Sequence, residues 1–144
     1  IARKLRGAGD DAECRDAADV HEVDGFDAVI VGSGLYAGRM RLRARRLMRA
    51  AAKAGIPLPV FALGPLEDVE EQWFGAREQL DQEIARVKDA EPVAITVFGG
   101  CLDPDGKHFP FSRMSKSDLR DWSAIDEWAL HARAQLAART TVVH

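Results

Sequence analysis

Three apolar runs, each ending in glycine, constrain the fold more than any other feature of this sequence. They are FDAVIVG (26–32), PLPVFALG (57–64) and PVAITVFGG (92–100). A short apolar run bounded by turn residues is typical of a strand that is buried on both faces. Segments with helical spacing separate and follow these runs, so the sequence predicts a parallel sheet with helices on both faces.

The remaining elements follow from spacing, capping residues and glycine stops. Helices are predicted over 1–9, 39–55, 71–90 and 121–137, and a short strand with a turn over 12–20. The last helix should begin at a capping aspartate, either Asp118 or Asp121. The helix over 39–55 has a strongly basic outer face, and the positions that we expect to be buried are Met40, Leu42, Leu47, Met48, Ala51 and Ala52.

Length and composition limit the class of protein. A chain of 144 residues with 47% apolar and 30% charged residues suits one globular domain over 1–144. Its net charge of −3 gives no general reason to expect a nucleic acid partner. No apolar run reaches the ~18 residues that cross a bilayer. Cys14 and Cys101 do not form a disulfide framework, so we expect a cytoplasmic protein, with peripheral contact to the inner face of the membrane as a further expectation.

The glycine cluster GSGLYA (32–37) fits the G-x-G-x-x-G/A pattern of dinucleotide-binding turns. That pattern usually follows the first strand, with an acidic residue about 20 positions later that binds the ribose. Here the following strand ends without an acid before Glu67, which disfavours NAD. A receiver domain would need an aspartate where this chain has Val31 and Gly32, so that interpretation fails.

A flavin site is the third interpretation. The segments after the three predicted strands should all project from one sheet edge, where ligands of doubly wound folds bind. Small residues would let main chain lie against a flat ring, and backbone N–H groups could bond its polar edge. Tyr36 would stack on the ring, with Leu35 as an apolar contact. Ordinary turn glycines remain the alternative. The candidate residues are Ser33, Gly34, Leu35, Tyr36, Ala37, Gly38, Gly64, Pro65, Leu66, Gly99 and Gly100.

Four motifs together resemble flavodoxin-domain proteins, specifically the branch related to menaquinone-dependent protoporphyrinogen oxidase. They are GSGLYAGR, LGPL, VFGGCLDP and DLRDWSAIDEWA, and the similarity runs from about Gly25 to Ala132. The resemblance implies a doubly wound five-stranded parallel sheet of order 2-1-3-4-5 with FMN bound non-covalently at its carboxyl edge. It also implies an oxidoreductase or electron-transfer protein, with protoporphyrinogen dehydrogenation and a quinone acceptor as the specific expectation. A non-catalytic electron carrier and a cofactor-free interaction protein of the same fold remain alternatives.

One part of the family pattern is missing from the sequence. Flavodoxin-like proteins hold the FMN phosphate in a loop between the first strand and the first helix. This sequence begins inside that helix, so we expect the strand and the phosphate loop on roughly 20 further N-terminal residues, sized from mean element lengths. Without that loop, the chain as written should bind FMN poorly. The resemblance implies a redox partner protein or a quinone as partner, and a porphyrin-type substrate.

Few other residues suggest chemistry. The four histidines have no metal-ligand spacing, so we predict no metal site, and we assign no catalytic residue. Cys101 is expected to be a small buried residue in preference to a redox-active thiol. The basic helix from Arg39 to Lys53 is either a solvated face balanced by the acidic segment 67–71 or a dock for an acidic partner, an anionic lipid surface or porphyrin propionates. Trp122 and Trp128 should pack the last helix on the sheet.

Overall fold

The computed structural model of the protein describes residues 1–108 and 111–142. Its strands are β1 (Val31–Tyr36), β2 (Arg39–Met40), β3 (Pro59–Leu63), β4 (Ala94–Phe98), β5 (Cys101–Leu102) and β6 (Ser117–Asp118). Its α-helices are α1 (Ala2–Gly7), α2 (Leu42–Ala54), α3 (Glu70–Ala85) and α4 (Trp122–Val142), and a single 3-10 turn covers Phe111–Arg113.

The main sheet has the order β2-β1-β3-β4. Strands β1, β3 and β4 run parallel, while β2 pairs antiparallel with the end of β1. In this register Val31 lies opposite Val60, and Val60 lies opposite Ile95. Strands β5 and β6 form a separate antiparallel pair. The α/β prediction is confirmed and fits a flavodoxin-like fold, while the five-stranded order 2-1-3-4-5 stays a prediction.

Helices cover both faces of the sheet, as the buried runs predict. On one face α2 and α3 enclose a core that includes the fully buried side chains of Met48, Val60 and Leu80. On the other face α4 packs through Trp128, whose ring centroid lies 5.7 Å from those of Phe61 and Phe98. The prediction that Trp128 packs the last helix on the sheet is therefore confirmed.

Two strand predictions are wrong: one strand is shifted along the chain, and another does not form. Residues 26–30 precede the ladder, and β1 begins at Val31 and continues through the glycines to Tyr36. The ring of Phe61 on β3 occupies the space where Gly32 would carry a Cβ, so Gly32 makes room for a side chain of the neighbouring strand. No strand forms over 12–20, because the Asp16 carboxylate accepts the Ala18 N–H at 2.7 Å in a local turn that competes with strand pairing.

The four predicted helices are confirmed, but their first and last residues differ from the predicted ones. Helix α2 begins at Leu42, because Arg39 and Met40 belong to β2. Met40 is buried as predicted, whereas Leu42 is exposed. Helix α4 begins after Asp121, whose Oδ1 accepts the Ala124 N–H at 3.0 Å, so Asp121 is the capping aspartate.

Two side chains lie in solvent where burial was expected. Trp122 is exposed, and the Arg120 guanidinium lies 5.2 Å from its ring centroid, so it does not pack α4 on the sheet. It stands in the first turn of α4, before the helix reaches the sheet face that Trp128 covers. Cys101 is also exposed, because it belongs to the short β5–β6 pair outside the main sheet.

Candidate functional site

The glycine cluster forms a β-hairpin at the carboxyl end of β1, where a loop was predicted. Ala37 and Gly38 connect β1 to β2, with Tyr36 opposite Arg39. Both connecting residues have positive φ, 48° at Ala37 and 73° at Gly38, as two-residue hairpin turns require. Ser33 through Tyr36 therefore lie in the strand, and Ala37 and Gly38 alone form the turn.

Tyr36 has a fixed position and a partly free surface. The Arg41 guanidinium lies 4.7 Å from the ring centroid and donates a hydrogen bond from Nη2 to the phenol oxygen at 3.2 Å. This bond raises the pKa of Arg41. The ring also lies against Gly34, where an added Cβ would be 3.0 Å from Cε2. Tyr36 nevertheless keeps 48% of its surface in solvent, so it can contact a ligand.

The hydroxyl of Ser33 holds the hairpin together. Ser33 is buried, its Oγ donates to the Gly34 carbonyl at 2.9 Å, and it accepts the Arg41 N–H at 3.1 Å. These bonds join β1 to the backbone of Arg41, and the Arg41 guanidinium covers the Tyr36 ring. Ser33 therefore helps to fix the position of the ring.

The other two glycine-bearing segments, 64–66 and 99–100, lie side by side. The Gly64 N–H donates to the Phe98 carbonyl at 3.1 Å, and the Gly100 N–H donates to the Pro65 carbonyl at 2.7 Å. Leu35 connects them to the hairpin, since its Cδ1 lies 3.6 Å from the Cβ position of Gly64. The structure therefore brings the predicted residues into one continuous row along the sheet edge.

These glycines make room for neighbouring parts of the chain. A Cβ on Gly99 would lie 2.0 Å from the Leu119 carbonyl oxygen, and one on Gly64 would lie 2.7 Å from the Ala76 Cβ. The N–H groups of Leu66 and Glu67 both donate to the Gln72 side-chain oxygen, at 3.0 and 3.2 Å. The Pro65 and Leu66 carbonyls also accept, from the Gly100 N–H and the Ser117 hydroxyl, so contacts from 64–66 to a ligand would come mainly from side chains.

A cavity of about 340 Å³ opens at the far end of this row. Its lining residues are Asp68, Trp73, Val97, Phe98, Gly99, Leu119, Asp121 and Ala124. The Trp73 Nε1–H donates to the Asp68 carboxylate at 2.8 Å. Of the residues predicted for the site, Gly99 lines this cavity, while the hairpin stands apart from it.

An acid–arginine pair, Asp118 and Arg120, lies beside the cavity, because both residues adjoin the lining residue Leu119. Arg120 donates to both carboxylate oxygens of Asp118, at 2.8 and 2.7 Å, and its guanidinium covers Trp122. Hydrogen bonds from Arg120 lower the pKa of Asp118 to about 2. Sequence reasoning missed this pair, although acid, arginine and tryptophan alternate in DLRDW.

Glu83 is the most tightly held polar residue that sequence reasoning missed. Its fully buried carboxylate accepts Arg39 Nε at 2.7 Å, the Met40 N–H at 3.2 Å and a short bond from Arg86. Burial raises its pKa, but these bonds outweigh burial and leave the pKa of Glu83 below its ordinary value. Glu83 thereby fixes the hairpin to α3, at a position three residues after Leu80 in the buried helix stripe.

The same carboxylate changes the expected charge balance of the basic helix. Glu83 lies 3.4 Å from Arg45 Nε in addition to its bonds with Arg39 and Arg86. Among the described residues, no ion pair joins α2 to the acidic segment 67–71. The charges nearest the hairpin are therefore compensated by the buried Glu83 of α3, not by the acidic segment 67–71.

Residues 1–108 and 111–142 contain neither a cluster of metal-binding side chains nor a helix suited to cross a membrane. Within them no group of three or more His, Cys, Asp or Glu side chains is arranged to hold a metal ion. No helix of these residues has both the length and the apolar character needed to cross a membrane.

Comparison with protein families identifies the family of the chain. The family model described as Flavodoxin domain matches residues 1–110, which include the hairpin and both of the other glycine-bearing segments. Comparison with curated proteins and with solved structures finds no match for this chain.

Proposed function

Because the chain belongs to the flavodoxin-domain family, we propose that it binds FMN non-covalently at the carboxyl edge of its sheet and transfers electrons. The observation that carries this proposal is the half-exposed Tyr36 ring, presented by a fixed hairpin in line with 64–66. When bound, FMN supplies the redox chemistry, and the chain supplies binding and orientation.

The residues at this edge fit the ring of a flavin. Tyr36 offers an aromatic surface for stacking, and Leu35 joins it to Gly64 through an apolar contact. Pro65 and Leu66 continue the same row. Ser33 and Glu83 hold the hairpin in place before a ligand arrives, which lowers the entropic cost of binding.

The finer proposal is oxidation of a protoporphyrinogen with a quinone as electron acceptor. It is supported by the GSGLYAGR and DLRDW motifs, and by the Asp118–Arg120 pair that lies beside the cavity of about 340 Å³. We also propose a cytoplasmic location with peripheral contact to the inner face of the membrane. Turnover of protoporphyrinogen with a menaquinone analogue tests the enzyme, and a non-catalytic carrier would show no turnover.

Titration with FMN, followed by quenching of flavin fluorescence, tests the binding proposal. Tyr36→Ala should weaken FMN binding about three- to tenfold, the range of one aromatic contact. The matched control is Phe74→Ala, which removes another exposed aromatic ring, on α3, and should leave affinity unchanged. Equal affinities of Tyr36→Ala and the unchanged protein would contradict the proposal.

A further inference from the structure

Three arginines from three different elements meet at one carboxylate. Arg39 comes from β2, Arg45 from α2 and Arg86 follows α3, and all three face Glu83. We propose that these arginines form a binding site for a dianionic phosphate group, distinct from the flavin site proposed above.

The charges of this cluster do not balance. Glu83 compensates one of three guanidinium charges, so two positive charges remain in excess. Arg39 and Arg86 donate to the same oxygen, Oε1, which holds their like charges side by side. Like charges at such separations repel one another. A phosphate monoester, with a charge of about −1.5 to −2 at neutral pH, matches the excess.

The guanidinium groups also retain unused donors. Each guanidinium has five N–H groups, and Glu83 takes one from Arg39 and one from Arg86. Arg45 Nε is buried and has no hydrogen-bond partner among the described residues. Both Glu83 oxygens are already engaged, so the remaining donors of the half-exposed Arg39 and Arg86 side chains are available to a ligand. Guanidinium groups match phosphate in geometry because two parallel N–H groups can reach two oxygens.

The cluster is open to solvent on one side. The side chains of Arg39 and Arg86 are 49% and 47% exposed, while their shared carboxylate is buried. Helix α2 carries four other cations, and no described carboxylate lies within ion-pair distance of them. They are Arg43, Arg46, Arg49 and Lys53. Their field raises the local concentration of anions near the cluster. The phosphate could belong to a free monoester or to a lipid headgroup.

Calorimetric titration of the protein with inorganic phosphate, against chloride at matched ionic strength, tests the site. We expect saturable binding of one phosphate per chain. Arg86→Gln should weaken it at least tenfold, and Arg39→Gln provides a second variant if the first does not fold. The control is Arg77→Gln, which removes a cation of similar exposure (49%) from α3, outside the cluster, and should change affinity less than twofold.

Vesicles identify the source of the phosphate. Co-sedimentation with vesicles of phosphatidic acid, whose headgroup is a phosphate monoester, but not with phosphatidylcholine vesicles, that is lost in Arg86→Gln supports the site with a lipid headgroup as ligand. Saturable phosphate binding without vesicle binding supports it with a free phosphate monoester. The proposal is overturned if phosphate acts no differently from chloride, or if Arg77→Gln weakens binding as much as Arg86→Gln.

Discussion

The hairpin over 31–41 and the junction of 98–100 with 117–121 lie at the same sheet edge and both depend on glycine, yet different forces hold them. In the hairpin Gly38 supplies a positive φ, and a buried carboxylate ties the turn to α3. In the junction Gly99 supplies space for a neighbouring carbonyl, and backbone hydrogen bonds hold the segments together. Glycine thus allows a positive φ in the hairpin and close packing in the junction.

The two regions also present different surfaces. The hairpin displays side chains, with Tyr36 and Arg41 in contact at the surface. The junction encloses a cavity whose lining includes Gly99 and Leu119. We therefore expect that the hairpin is destabilised most by loss of charge, and the junction by added side-chain volume.

Loss of the buried charge should have the largest effect. Glu83→Gln leaves Arg39, Arg45 and Arg86 without their anion, and breaking a buried ion pair from one side costs about 3 kcal/mol or more. Denaturant unfolding measures the loss. The control Asp81→Asn removes an exposed partner of Arg77 and should cost less than about 0.5 kcal/mol. Equal costs would show that the hairpin does not depend on its buried charge.

Glu83→Gln should also change how the unfolding free energy depends on pH in acid. The folded-state pKa of Glu83 is lowered, so its contribution to stability is present above the unfolded pKa of about 4.3 and is lost as pH falls through the folded value. The unchanged protein should therefore lose stability more steeply than Glu83→Gln below about pH 4. Parallel pH profiles of the unfolding free energy would contradict this.

Added volume at the junction should have the next largest effect. Gly99→Ala places a Cβ 2.0 Å from the Leu119 carbonyl oxygen, so the backbone must shift, at a cost of about 2 kcal/mol. Gly75→Ala is the control, because it lies within α3 with no atom within 4 Å of the new Cβ and should stabilise the protein by up to about 1 kcal/mol. Destabilisation by both substitutions would contradict the packing role of Gly99.

A change at the hairpin turn should have the smallest effect. Gly38→Ala puts a side chain at φ 73° and should cost about 1 kcal/mol, since its nearest neighbour is the flexible Gln79 side chain at 3.4 Å. Ala37→Gly, at φ 48°, should change the unfolding free energy by less than about 0.5 kcal/mol, because relief of strain and added chain entropy offset each other. A neutral Gly38→Ala would show that the turn tolerates any residue.

Sequence patterns predicted the elements whose signals come from neighbouring residues in the chain. The apolar runs located β3 and β4, and the cap of α4 followed from Asp121. The hairpin could not be predicted, because Gly32 and Gly34 are weak strand formers and extend β1 through tertiary packing under Phe61 and Tyr36. Glu83 was similarly hidden, since its partner Arg39 lies 44 residues away in the chain.

Backbone amide chemical shifts recorded while the ¹⁵N-labelled protein is titrated with FMN test the central proposal most directly. Our account predicts that the largest shifts fall on 34–38, Gly64 and Leu66, in the row that contains Tyr36. Shifts confined to the cavity over 97–99 and 121–124, or no shifts at saturating FMN, would contradict the placement of the flavin ring on the hairpin.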